Sequence, residues 1–294
     1  MKAYVDAPRH LSRAMFRVSD ALRRHAPSDV EIVERPADAD LQVLHVIGQD
    51  ALDFTSAAPR TAVIQYCLYS ADVESWHPLW EKTSLVWSYY DLHGRLPQGA
   101  NFYHAPLGVD PAFLTRPLVG TSRQYVMTSG YVAGSRAEAI EEVAHAADAC
   151  GLATVHLGPM PVGLTKALPR SWYNVHEISD AALAALYDGA RWVSGLRYIE
   201  GFELPVVEGL ARGARPFVFD RQDMRQWYAG HAEFIPECEG NELVERLKRL
   251  FMHPQWPVSL GEIADVRHKF DWETIVGGFW SNILQTIHPA VGRR

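Results

Sequence analysis

Several things are missing from this sequence, and each absence excludes a class. Its three cysteines, Cys67, Cys150 and Cys238, are far apart and odd in number. That predicts reduced thiols in a cytoplasm-like compartment rather than a disulfide framework. No window approaches the roughly 18 uninterrupted apolar residues that a membrane span needs. The start, MKAYVDAPRHLSRAMF, has no apolar core of a signal peptide, so a soluble, cytoplasmic protein is expected. Basic charge is not in excess: the formal net charge is -7, which excludes a general attraction to nucleic acid or anionic lipid and leaves only local patches open. Thirteen histidines are present, yet no H-x-x-x-H or C-x-x-C pair appears, so no metal site is expected. G-x-G-x-x-G and G-x-x-x-x-G-K-[ST] are absent too, which disfavours standard dinucleotide and P-loop binding.

What is present is a regular alternation. Of 294 residues 48% are hydrophobic and 21% charged, an ordinary globular balance with material for two cores. Short apolar runs alternate with helical periodicity, which predicts parallel sheets covered by helices. In the first part, 3–5, 40–48, 61–66 and 84–90 read as strands, 12–25 as a helix, and 101–108 as a closing segment. The stretch 108–124 holds two Pro and two Gly and reads as a connector. A second alternation follows, with strands at 124–130, 153–158, 191–195 and 215–220. Its helices are expected at 137–150, 179–189, 205–213, 241–251 and 273–288. The expected division is 1–115, 116–275 and a last helix, 276–294, packing back toward the first domain. Two Rossmann-like α/β halves do not by themselves choose among dehydrogenases, binding proteins and glycosyltransferases.

Residues 198–213, Y-I-E-G-F-E-L-P-V-V-E-G-L-A-R-G, narrow the choice. A strand ends near Gly195, a loop follows, and a helix opens with Pro205 at its first position, where a missing N–H costs nothing. Gly213 suits the residue after the helix. The loop is expected to bring the amides of Gly201, Phe202, Glu203 and Leu204 to a helix N-terminus at the C-terminal edge of a parallel sheet, where α/β folds bind anions. Glu200 stands before the helix and Glu208 within it. Two acids would repel a diphosphate but would accept hydrogen bonds from sugar and ribose hydroxyls.

This segment resembles the E-x7-E signature of family 4 and related retaining GT-B glycosyltransferases, with Glu200, Gly201, Phe202, Leu204, Pro205, Glu208, Ala211, Gly213 and Pro216 in register. The resemblance extends to H-A-P-L-G-V-D-P-A-F (104–113), V-M-T-S-G-Y-V-A-G-S-R (126–136), E-I-S-D-A-A-L-A-A-L-Y-D-G-A (177–190) and F-D-W-E-T-I (270–275). It implies the GT-B fold: two Rossmann-like domains facing across a cleft, with a C-terminal helix returning to the first. It also implies transfer of a sugar from a UDP- or GDP-linked donor, bound as substrate, with no cofactor and no metal. By the same resemblance, Glu200 would contact the transferred sugar and Glu208 the ribose, and Arg136 and the loop amides would stabilise the departing diphosphate. Gly130, Tyr131 and Ile178 fall at donor-binding positions. Tyr131 stands where the family has Arg, and Arg136 where it has Lys. Glu203 replaces a usual Gly and is expected to add bulk and negative charge beside the sugar.

On the acceptor side the candidates are His45, Tyr66 and Ser88, at expected strand ends. The acceptor itself is not legible. Arg9, Arg13, Arg17, Arg23 and Arg24 make the start locally basic, which reads as a solvated helix face and leaves a nucleic-acid acceptor, such as a modified DNA base, open. Asp38-Ala39-Asp40 reads as a solvated turn rather than a metal–diphosphate motif, and Trp76 and Trp80 as core. Two other functions stay open at this level: a GT-B-like nucleotide-binding protein without transfer, and an NAD-type oxidoreductase on paired Rossmann domains.

Overall fold

The structure, a computed structural model, describes residues 1–7, 13–47, 56–66, 70–115, 123–130, 138–198, 201–253 and 258–287. The chain divides into two compact units. Unit 1 comprises Met1–Gly108, Ile199–Phe202 and Phe270–Arg294; unit 2 comprises Val109–Tyr198 and Glu203–Lys269.

Unit 1 begins with β1 (Lys2–Val5), α1 (Arg13–Arg24), β2 (Glu31–Ile32), β3 (Leu41–Ile47), β4 (Arg60–Tyr66), α2 (His77–Glu81), β5 (Leu85–Ser88) and β6 (Phe102–His104). The strands form one parallel sheet in the order β2-β1-β3-β4-β5-β6. Central strands of such a sheet are covered on both faces and so read as apolar runs; in β4 every residue from Thr61 to Tyr66 is buried. Along α1, Met15, Val18 and Leu22 form a buried stripe at helical spacing. Trp76 and Trp80 are buried, as expected of core residues.

Unit 2 contains α3 (Pro111–Leu114), β7 (Tyr125–Ser129), α4 (Ile140–Ala149), β8 (Ala153–Leu157), β9 (Trp172–Val175), α5 (Asp180–Gly189), β10 (Ala190–Gly195), α6 (Leu204–Ala211), β11 (Arg215–Phe219), α7 (Gln222–Tyr228), β12 (Glu233–Ile235), α8 (Gly240–Met252) and α9 (Leu260–Lys269). Its sheet is again parallel, in the order β12-β11-β10-β7-β8-β9. Trp192, Phe217 and Phe251 pack ring to ring with centroids 5.5–6.1 Å apart and hold α8 on the sheet. Ser179 caps α5, its hydroxyl accepting from Ala182 N at 3.2 Å. Buried Arg212 joins α6 to α5 through a two-pronged pair with Asp188 at 2.9 and 2.5 Å.

The chain then returns to unit 1 as α10 (Trp272–Ile287), whose Trp280 Nε1 donates to Leu22 O at 3.1 Å. The unit boundaries fall at 108/109 and 269/270 rather than at 115 and 275. Thr115 accepts from Arg212 and Phe113 packs on Tyr187, which ties 109–115 to unit 2. Trp272 lies over Gly108, where a Cβ would come within 2.4 Å of the indole, which ties the start of α10 to unit 1.

Candidate functional site

Strand order selects the place. In unit 2 the chain runs outward from β7 through β8 to β9, then crosses back to β10 on the other side of β7. Such a switch point, at the C-terminal ends of β7 and β10, is where α/β sheets bind their ligands. Gly130 ends the β7 side. The β10 side ends at Gly195, and α6 starts at Leu204, so Pro205 is the second helical residue and Glu203 the N-cap.

Here the structure adds residues that the sequence reading did not single out. Arg197 is buried, and its Nε lies 2.9 Å from the Glu203 carboxylate. Its Nη1 is 3.5 Å from Glu138, and its Nη2 donates to Ser129 O and Oγ at 3.2 and 3.0 Å. An isolated antiparallel bridge pairs Glu138 with Arg197, and Ala139 N donates to Leu196 O at 3.0 Å. The two loops at the switch point are thus fastened to each other. Arg221 fixes the same loop from β11, donating to the carbonyls of Arg197 and Tyr198 at 2.6 and 2.8 Å. A sequence signal existed: an arginine inside the apolar run V-S-G-L-R-Y-I, and an acid, Glu203, just before an apolar helix. Buried charges of opposite sign need one another.

This corrects the expectation for Glu203. Its side chain is 2% exposed and its charge is met by Arg197, so it is not an open negative charge. Its amide is also committed, donating to Tyr228 Oη at 2.7 Å, while that hydroxyl reaches Glu203 O at 3.2 Å. Among the loop amides expected to face a diphosphate, that of Glu203 therefore has another acceptor. Glu208 lies on α6, 2% exposed, and accepts from Tyr187 Oη of α5 at 3.1 Å. Leu204 is buried at the start of α6.

Gly130 and Gly158 approach each other closely. Gly158 has φ +138, and a Cβ there would lie 1.9 Å from Gly130 O, so only glycine fits. Beneath them His156 is fully buried. Burial pushes its imidazole down to about 4. Its Nε2 faces Pro159 O at 3.3 Å and its Nδ1 faces Thr128 Oγ1 at 2.9 Å, which suits a neutral ring donating from Nε2. Ile178 sits between β9 and the cap of α5, half-buried, directly after Glu177 in the left-handed region (φ 53).

Gly201 and Phe202 belong by their contacts to unit 1. A Cβ on Gly201 would lie 2.5 Å from Tyr90 Cε1, and Phe202 packs on Tyr89 and Phe270 at 5.9 and 5.7 Å between centroids. Glu200, Tyr131 and Arg136 lie outside the described residues.

Two of the acceptor-side candidates meet: His45 of β3, beside the switch point between β1 and β3, and Tyr66 of β4, whereas Ser88 lies on β5. His45 Nδ1 is 2.9 Å from Tyr66 Oη and its Nε2 is 2.7 Å from Ser19 Oγ. The Ser19 hydroxyl reaches Asp6 O at 2.5 Å and Met15 O at 3.0 Å, so its proton is committed to a carbonyl. His45 then donates from Nε2 and accepts the Tyr66 proton at Nδ1. Burial holds this imidazole neutral, down to about 4. Ser19 was missed, since a serine inside an amphipathic helix carries no signal of its own. Ser88 is fully buried and accepts from Tyr90 N at 3.3 Å, so it supports the turn after β5.

On the remaining features, Arg23 donates to Val5 O and exposed Arg24 pairs with Asp20, while Arg9 lies outside the described residues. Asp38 pairs with Arg35 at 2.7 Å and Asp40 accepts from Lys2 N at 2.7 Å, which makes 38–40 a tied turn. Cys150 and Cys238 are free thiols, whereas Cys67 lies outside the described residues. No helix among the described residues is long and apolar enough to cross a membrane.

No protein-family model and no curated protein matches the chain by sequence. Solved structures do match it. Sucrose-phosphate synthase from Thermosynechococcus elongatus superposes with a TM-score of 0.71 at 13% identity, over 98% of this chain and 99% of that one. AviGT4, a glycosyltransferase involved in avilamycin A biosynthesis, gives 0.67 at 13%, over 98% of each chain. Anabaena HepE, solved with UDP and glucose, gives 0.66 at 12%, over 96% of this chain and 98% of that one. With two parallel six-stranded sheets, each in its own unit and joined in this order, the chain has the GT-B fold of these glycosyltransferases.

Proposed function

We propose that this protein is a glycosyltransferase that moves a hexosyl unit from a UDP- or GDP-linked sugar to an acceptor hydroxyl with retention of configuration. One observation carries the reading. The second glutamate of the E-x7-E segment, Glu208, is buried on α6, the helix that follows β10 at the switch point of the unit 2 sheet. The GT-B fold and the UDP and glucose held by HepE support it.

In this reading Glu208 accepts hydrogen bonds from the ribose hydroxyls, and Tyr187 orients its carboxylate. Glu200 takes the hydroxyls of the departing sugar. Arg136 and the amides of Gly201, Phe202 and Leu204 meet the charge that grows on the diphosphate as the anomeric carbon becomes oxocarbenium-like. Donors placed where charge develops favour the transition state over the bound substrate. The C1–O bond to the diphosphate breaks, the acceptor oxygen bonds to C1 on the same face, and the leaving phosphate takes the acceptor proton. A divalent ion is not needed for these steps. Tyr131 makes the diphosphate depend on Arg136. In unit 1 the neutral His45–Tyr66 pair suits an uncharged hydroxyl acceptor.

The test is thermal stabilisation by UDP, GDP, ADP and NAD, followed by a donor screen with mass analysis and assignment of anomeric configuration by NMR. UDP or GDP is expected to stabilise, and a transferred sugar to keep its configuration in the presence of EDTA. Stabilisation by NAD alone would overturn the reading, and nucleotide binding without transfer to any acceptor, nucleic acid included, would leave a binding protein. Glu200→Ala is expected to lower turnover more than donor affinity; parental turnover would remove its assigned role.

A further inference from the structure

Asp91 and His93 lie just beyond β5, and His104 ends β6. Parallel pairing sets Ser88 opposite His104, so all three residues gather at the C-terminal edge of the unit 1 sheet. One potential ligand atom from each lies within 4.8 Å of the other two. Asp91 Oδ1 accepts from His93 N at 3.2 Å and faces His93 Nδ1 at 2.7 Å. The Phe102 ring stacks on His104 (6.0 Å, 12°) and meets His93 edge-on (5.4 Å, 75°), so one aromatic side chain orients both imidazoles.

We propose that Asp91, His93 and His104 form a binding site for a divalent transition ion of the Zn²⁺ class, with water completing the coordination. Two imidazoles and one carboxylate suit such an ion, whose tetrahedral ligand atoms stand about 3.3 Å apart. Reaching that spacing needs shifts of roughly 1 Å at the ends of two exposed side chains. An Asp–His ion pair would explain Asp91 and His93, but not the third donor brought into the same sphere. The ion would pin the 89–101 segment to β6, and with it Tyr89 and Tyr90, which pack on Phe202 and Gly201. It takes no part in the transfer chemistry, so this site stands or falls separately from the proposed activity.

The experiment is calorimetric titration of the full, EDTA-stripped chain with Zn²⁺, with Co²⁺ absorption as a second readout. One equivalent should bind with micromolar affinity and raise Tm, and Co²⁺ should give the intense visible bands of four-coordination. H93A and H104A should each weaken binding at least about tenfold and abolish the bands. H176A, which removes an exposed histidine beside Glu177, should bind like the parent. His93 is 70% exposed, so H93A carries the test even if H104A misfolds. Equal affinity of the parent and H93A, or an equal loss in H176A, would overturn the site.

Discussion

Both units place polar side chains at a sheet switch point, but the two points differ in chemistry. In unit 2, Arg197, Glu203 and Glu138 are charged and buried, and they fasten the loops after β7 and β10 together. In unit 1 the corresponding place between β1 and β3 is neutral, a relay from Tyr66 through His45 to Ser19 and the carbonyl of Asp6. The same architecture thus offers one edge held rigid by opposite charges and one edge lined by uncharged donors and acceptors. In the proposed activity, rigidity would suit the side holding a diphosphate as it acquires charge, and neutrality a side receiving a hydroxyl.

The largest expected effect attacks the charged edge. Arg197→Met removes the guanidinium that the buried Glu203 and Glu138 carboxylates both face, and loss of one member of a buried pair costs about 3–5 kcal/mol. Denaturant unfolding should show a loss of that size, partly restored when Glu203→Gln and Glu138→Gln are added. A loss near zero would mean that water already screens the cluster, and the contrast between the edges would disappear.

Acid should reach the neutral histidines next. His45 and His156 are both held down to about 4, from an ordinary value of 6.5. Between those values the unfolded chain binds more protons than the folded one. The stability from burying neutral rings is complete above about 6.5 and is lost as pH falls toward 4, by on the order of 3 kcal/mol for each ring. His156→Gln should flatten the fall of Tm across that window. An unchanged slope would show that the ring is charged in the fold.

Smaller effects sharpen the comparison. Glu208→Ala should weaken UDP binding at least about tenfold while leaving metal binding at Asp91, His93 and His104 unchanged. Tyr187→Phe removes a single hydrogen bond and should cost about 1 kcal/mol in nucleotide binding, read by calorimetry. Tyr66→Phe should cost about 1 kcal/mol in stability without affecting the nucleotide. If it weakened UDP binding as much as Glu208→Ala does, the division of roles between the two edges would fail.

Much of this was legible from periodicity. The long strands β3, β4, β7, β8, β10 and β11 carry apolar runs because both sheet faces are covered. Elements that escaped notice are short or half-exposed. β2 and β12 are edge strands of two and three residues, and β9, Trp-Tyr-Asn-Val, is half-buried along most of its length. α3 and α7 are only four and seven residues long. Edge strands and short helices bury too little for composition to mark them.

By itself the sequence determined the alternation of strand and helix, the helix start at 204–205 and the glutamate on α6, because local propensity and buried stripes act over a few residues. Only the tertiary structure decided that Arg197 answers Glu203, that Ser19 supports His45, and that His104 meets Asp91 and His93. Those meetings depend on which strands lie side by side, and strand order is set by packing whole layers together rather than by any neighbouring residue.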